Sequence, residues 1–282
     1  MGHTGTENQH VARRTRLRGR AGDERDRERR GDEDRSDEDE HGGATGPGLR
    51  LFETHRSNVP IWTKPVVSRP TPFESRDPYV RAAAAAASGR MGRPGRAEIT
   101  ELVMLSTDDP DPRVRAAALG AVVRSAGRVS AARVWRRAAA DPDPSVRRRS
   151  AELAPGVALP LAPLLALLAD AEWSVVEAAA WAVGEIEWSA TNRRRAVRAE
   201  VGQATAHDDP LVREAAVAAL GAIGDPAGLP AVLTATHDRP AVRRRAVLAL
   251  APFDAPEVDA ALEAALTDPD WQVRQAAEDL AP

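Results

Sequence analysis

The chain of 282 residues has no cysteine, which excludes disulfides, a thiolate nucleophile, an iron–sulfur cluster and cysteine-held zinc. Lysine is nearly absent: Lys64 stands alone beside 38 arginines. Aromatic residues make up 4% of the chain, so a core built from it is thin and alanine-rich. No apolar run approaches the roughly 20 residues a membrane-spanning helix needs, because an arginine or an acid interrupts each stretch. No apolar stretch follows the first basic residues as in a secretory leader, and the expectation is a cytoplasmic protein. No large charge of one sign is present either. Lysine and arginine number 39 against 42 acids, a net of −3, which gives no overall attraction to nucleic acid.

What is present falls into three parts. Residues 1–50 carry nine arginines between positions 13 and 30 and then a dense acidic block from Asp32 to Glu40. With almost nothing apolar between them, they predict a disordered charged tail, since too little surface can be buried to offset chain entropy. That tail reads as an interaction segment, a solvated leader, or the product of a start codon placed too early. Residues 51–76 carry Phe52, Ile61, Trp62 and Phe73 among Pro60, Pro65, Pro70 and Pro72. The prolines forbid a continuous helix, so this is an extended strap expected to cap the first repeat of the array that begins at Asp77.

Residues 77–282 are an internal repeat. Asp77-Pro-Tyr-Val-Arg81 returns as Asp111-Pro-Arg-Val-Arg115, Asp143-Pro-Ser-Val-Arg147 and Asp209-Pro-Leu-Val-Arg213. Weaker copies are Glu172-Trp-Ser-Val-Val176, Arg239-Pro-Ala-Val-Arg243 and Asp270-Trp-Gln-Val-Arg274. The seven signature valines are separated by steps of 34, 32, 29, 37, 30 and 31 residues. An acid followed by proline suits a helix start, because the acid caps free amides and proline needs no partner in the first turn. The valine opens an apolar stripe at i, i+3, i+4, i+7 and i+8, seen as Val212, Ala215, Ala216, Ala219 and Leu220. A second helical stretch lies between signatures, so each unit is a helical hairpin that buries a face only against its neighbours.

The pattern resembles the HEAT-like repeats of the phycobilisome-lyase type, whose units run D-P-x-V-R-x-x-A-A-x-A-L-G-x-I-G-D. Val212–Asp225 matches almost position for position, and Val114–Gly120 matches well. The resemblance implies an all-α, right-handed superhelical solenoid of about seven helical hairpins. It does not imply one function: the family includes bilin lyases, deoxyhypusine hydroxylases, alkyl-purine DNA glycosylases and plain scaffolds.

The arginine after each valine invites a phosphate-binding reading. The stronger expectation is an ion-pair ladder between stacked repeats, because residues 77–282 hold 24 arginines against 28 acids and no basic surplus. The triplets Arg147–Arg149, Arg193–Arg195 and Arg243–Arg245 leave one or two outward charges each. The fourth copy departs from the pattern: Val176 replaces the ladder arginine, and Trp173, Trp181 and Trp188 concentrate there. Glu177, Trp181 and Trp188 fall on a side off the apolar stripe, with Glu185 beside them. They suit a partner's apolar anchor, a cation or a stacked base, or they fill space around the long connection Ser189–Asn192.

Catalytic readings find little. Deoxyhypusine hydroxylases, by the resemblance, hold iron with repeated His-Glu pairs, whereas the repeats here offer only His207-Asp208 and His237-Asp238 at turn positions. Glu177, Glu185, Trp181, Trp188 and Arg193–Arg195 imitate the glycosylase site that the resemblance implies, but the repeats are more regular than in those enzymes and the concave row is not basic overall. The expectation is a monomeric, non-catalytic scaffold without cofactor or metal, gripping a protein partner on its concave face through Glu177, Trp181, Glu185, Trp188, Arg148, Glu214 and Arg244. A nucleic-acid-binding or glycosylase-like protein, and a lyase-like or chaperone-like helper of a cofactor-bearing protein, are the alternatives.

Overall fold

The computed structural model describes residues 71–91, 94–157, 161–188 and 191–280, apart from the side chains of 191–193. The expected tail and residues 51–70 of the strap lie outside them. Among the described residues there are thirteen α-helices and no strand. The signature helices are α1 (Pro78–Ser88), α3 (Pro112–Ser125), α5 (Pro144–Leu153), α7 (Trp173–Gly184), α9 (Pro210–Ile223), α11 (Pro240–Ala249) and α13 (Trp271–Leu280). Between them run α2 (Arg96–Asp108), α4 (Arg128–Ala138), α6 (Leu161–Leu168), α8 (Thr191–Ala204), α10 (Leu229–Ala235) and α12 (Pro256–Ala265). Thr191 and Asn192, read from sequence as part of a connection, already belong to α8.

The signature chemistry sets the helix starts. The carboxylates of Asp77, Asp111, Asp143 and Asp209 each accept the amide N–H two residues on, at 2.8–2.9 Å, with proline at the first helical position. Asp270 caps α13 in the same way through the Gln272 amide. The α9 helix buries Val212, Ala215, Ala216, Ala219 and Leu220, and it stops at Gly224. There φ is +61°, the left-handed conformation glycine adopts without a Cβ clash, and the Gly224 amide donates to the Leu220 carbonyl.

Most signature helices pack most extensively on a neighbouring signature helix, α3 packing as closely on α2, and the intervening helices touch one another less and form a second, looser layer. Small residues permit the close spacing. A Cβ on Gly221 would lie 2.8 Å from both Cα and Cβ of Ala249, so α9 and α11 touch backbone to backbone at a point only glycine allows. Side chains even meet across a whole helix: Arg245 on α11 reaches Trp181 on α7 over α9. The signature row is the more closely packed of the two layers and is called the inner row. Three contiguous clusters make the core, and the largest fully buried side chain is Trp135 on α4, whose indole N–H donates to the Ser150 carbonyl of α5. Of the expected strap, Phe73 packs against the N-terminal core cluster, Thr71 donates its hydroxyl to Glu101 of α2, and the Ser75 and Arg76 carbonyls accept from Arg81 of α1.

Candidate partner-binding face

Most signature arginines are occupied. Arg115 donates through Nε and Nη2 to both oxygens of Asp141, at 2.9 and 2.7 Å, and through Nη1 to the Asp109 carbonyl of its own repeat. The same bidentate rung joins Arg81 to Asp109, Arg147 to Asp170, Arg213 to Asp238 and Arg243 to Asp268. Four of these aspartates sit two residues before the next cap and also accept its amide N–H; Asp238, one residue before Arg239, accepts that amide. A ladder of charge-assisted hydrogen bonds thus ties each repeat to its neighbour, as the sequence led us to expect. One rung is missing. Where Val176 replaces arginine, the matching aspartate is His207, whose Nδ1 accepts the Asp209 amide N–H instead. His207 is a turn residue, as its position predicted. Arg274, in the last signature, donates to the Asp268 and Pro269 carbonyls.

The arginine hydrogen bonds hold the carboxyls of Asp170, Asp238 and Asp268 below their ordinary value. A carboxyl whose pKa is lower folded than unfolded stabilises the fold above the unfolded value of about 3.9 and loses that contribution as pH falls through the folded value. The urea midpoint should stay level from pH 7 to pH 5 and drop below about pH 4. A fall that is already complete by pH 5.5 would assign the effect to histidine, not the ladder.

With the ladder accounted for, the side chains exposed on the signature row can be placed. Trp181 is 37% exposed, with the Arg245 guanidinium 5.0 Å from its ring centroid. Arg245 also donates to Glu214 of α9 at 3.3 Å, so Trp181, Arg245 and Glu214 form one cell spanning α7, α9 and α11. Glu177 is half-buried one helical turn before Trp181, and Glu185 is exposed just past the end of α7. Arg244 is exposed beside Arg245, and Arg148 sits on α5, 3.5 Å from Glu152. Trp188 does not stand beside Trp181. It is half-buried against the main core cluster, and its indole N–H donates to the Val183 carbonyl at 3.1 Å. The two tryptophans thus divide the alternatives: Trp188 fills space around the turn after α7, and Trp181 remains exposed. Among the described residues no group of three or more His, Asp or Glu side chains is arranged to hold a metal ion.

A model of HEAT repeats matches residues 73–155, 161–239 and 199–281, nearly the whole described array. The chain belongs to the HEAT-repeat family. A comparison with curated proteins finds no match. Among solved structures, this HEAT array is similar to YibA of E. coli, at 18% identity and a TM-score of 0.60 over 74% of this chain and 78% of that one. It is also similar to a designed armadillo repeat protein in complex with the peptide (KR)4, at 18% identity and TM-score 0.42 over 74% and 95% of the chains. Human deoxyhypusine hydroxylase in complex with glycerol aligns at 19% identity and TM-score 0.36 over 74% and 80%.

Of the arginines on this HEAT array's inner row, sequence reasoning named Arg149 and Arg245 only as members of basic triplets and passed over Arg124. Arg149 and Arg245 both stand three residues after a signature valine, a shared register within the recurring triplet that marks them out. For Arg124 the signal was a weak one: the preceding copy repeats it as Arg90, ten residues after its signature valine, and the later strong copies do not.

Proposed function

We propose that the chain is a non-catalytic scaffold that holds a protein partner on the signature-helix row, centred on the third to fifth repeats, acting as a monomer in the cytoplasm. The HEAT-repeat fold supports a protein-interaction role. The observation that carries the finer reading is Trp181, a large aromatic left part-exposed in the middle of an otherwise alanine-rich inner row and held by Arg245. Aromatic and arginine side chains at the centre of a face are the usual energetic anchors of protein interfaces. Nucleic acid is a poorer match, because five signature arginines are consumed by ladder aspartates and the array carries no basic surplus.

The test is affinity capture from native lysate with wild type, Trp181→Ala and Trp271→Ala, the last an exposed tryptophan on α13. Loss of a partner in Trp181→Ala alone is expected, by about 30-fold or more in affinity, the scale of an interface hot spot. Stability against urea should fall modestly, by about 1–2 kcal/mol, since the variant loses the cation–π contact and the covered part of a ring that is 37% exposed. Equal capture by all three proteins would rule Trp181 out as the anchor.

A further inference from the structure

The inner row holds two cells built to one plan. In each, an arginine three residues after the signature valine leans back over the preceding signature helix. Arg245 crosses α9 and meets Glu214 and Trp181. Arg149 crosses α3 at Gly120, where a Cβ would stand 3.1 Å from its Nη2. The position matching Glu214 is here Ala116, and the position matching Trp181 is Ala86, so the second cell lacks both the carboxylate and the ring.

It holds a further cation instead. The Arg124 guanidinium shares the space above Gly120, 3.3 Å from that same Cβ position, and its Nε donates to the Gly89 carbonyl. Arg90 is exposed at the end of α1, and among the described residues no carboxylate pairs with Arg90 or Arg124. Among the described residues Glu152 is the one acid paired in the cell, 2.7 Å from Nη1 of Arg149 and also approached by Arg148. Burial, then the charges of Arg149 and Arg90, push the Arg124 guanidinium below its ordinary value, as crowded like charges do. Several cations around one carboxylate, on an array that is acidic overall, form a site short of negative charge. The neighbouring cell supplies the remedy internally, with a glutamate.

We propose that the Arg124–Arg149 cell docks an aspartate- or glutamate-rich stretch of the protein partner, one carboxylate of which takes the place over Ala116 that Glu214 fills in the other cell. The arginine forks suit a carboxylate, and Gly89 and Gly120 let the guanidinium groups lie flat against the helix backbone. The assignment rests on the reading of this row as the partner surface and names the chemistry at its N-terminal end.

The experiment is fluorescence anisotropy with the full chain and a labelled ten-residue glutamate-rich peptide, its glutamine counterpart and a single-stranded oligonucleotide, at low and moderate salt. Wild type should bind the glutamate peptide in preference to the glutamine one, and more weakly as salt rises. Arg124→Ala combined with Arg149→Ala should weaken binding about tenfold or more. Ala116→Glu should do the same without removing an arginine, by furnishing the missing carboxylate. Arg136→Ala, an exposed arginine on α4, should leave binding unchanged. Equal binding of the two peptides, or full binding by both inner-row variants, overturns the proposal. Tighter oligonucleotide binding, lost in the same variants, replaces the acidic peptide with nucleic acid. The parent reading fails separately: partner capture that depends on Trp181, with no glutamate-peptide binding, removes only the acidic assignment.

Discussion

Trp135→Ala is expected to cost about 3–5 kcal/mol, the range for emptying a buried aromatic site. Trp135 has no solvent exposure, and the helices around it are alanine-rich, so few large side chains can collapse into the space. The change also leaves the Ser150 carbonyl of α5 without its 2.6 Å indole donor, in a setting that water does not reach. Trp135→Phe separates the two effects, because it keeps most of the volume and removes only the donor. It should cost roughly 1–3 kcal/mol. Urea titration followed by circular dichroism measures both, and a loss below about 1 kcal/mol for the alanine variant would mean that the α4–α5 contact is not a central support of the array.

The second large effect concerns a ladder rung. Asp141→Ala should destabilise by about 3 kcal/mol, because it strands the charge of Arg115 among neighbours that leave its side chain 12% exposed. Asp141 accepts three hydrogen bonds: two from Arg115 and one from the Asp143 amide. Losing it therefore loosens the link between repeats and the start of α5 together. The chain itself carries the control. At the fourth repeat the matching positions hold Val176 and His207, an apolar side chain and a ring nitrogen that accepts the amide N–H of the next cap. Arg115→Val combined with Asp141→His copies that natural rung and should recover much of the loss, because neither partner is left as an uncompensated charge. If the double variant were no more stable than Asp141→Ala, stranded charge would not be the cause. Neighbouring repeats carry most contacts in a solenoid, so part of the loss should appear as local loosening around α3 to α5 that hydrogen exchange can map.

Signature, caps and stripe were legible because each is a short-range device. Asp-Pro starts a helix by satisfying amides two residues away, the apolar spacing turns one face inward, and Gly224 ends α9 by its own backbone freedom. The absence of cysteine, of His-Glu pairs and of a basic surplus was likewise in the composition. That an arginine–aspartate ladder would exist followed from fixed repeat positions. Which aspartate each arginine takes did not, because the partner lies 23 to 28 residues ahead on a turn whose place depends on how two hairpins stack.

The candidate site was less visible. Helical spacing put Trp181 and Trp188 on one side, but α7 ends at Gly184, and beyond that point the spacing carries no direction. Trp188 turns into the core and Trp181 stays outside. The contact of Trp181 with Arg245 joins α7 and α11, which are not consecutive in the signature row, and the counterpart at Arg124 and Arg149 draws on α1, α3 and α5 together. Sequence alone determined that this chain is a stack of capped, alanine-striped hairpins with charges at regular intervals. The tertiary structure alone decided which of those charges neutralise one another and which, like Arg124, crowd over a glycine beside another cation. Short-range chemistry sets helices one at a time, and only the spacing and curvature of the stacked row bring side chains of alternate helices together.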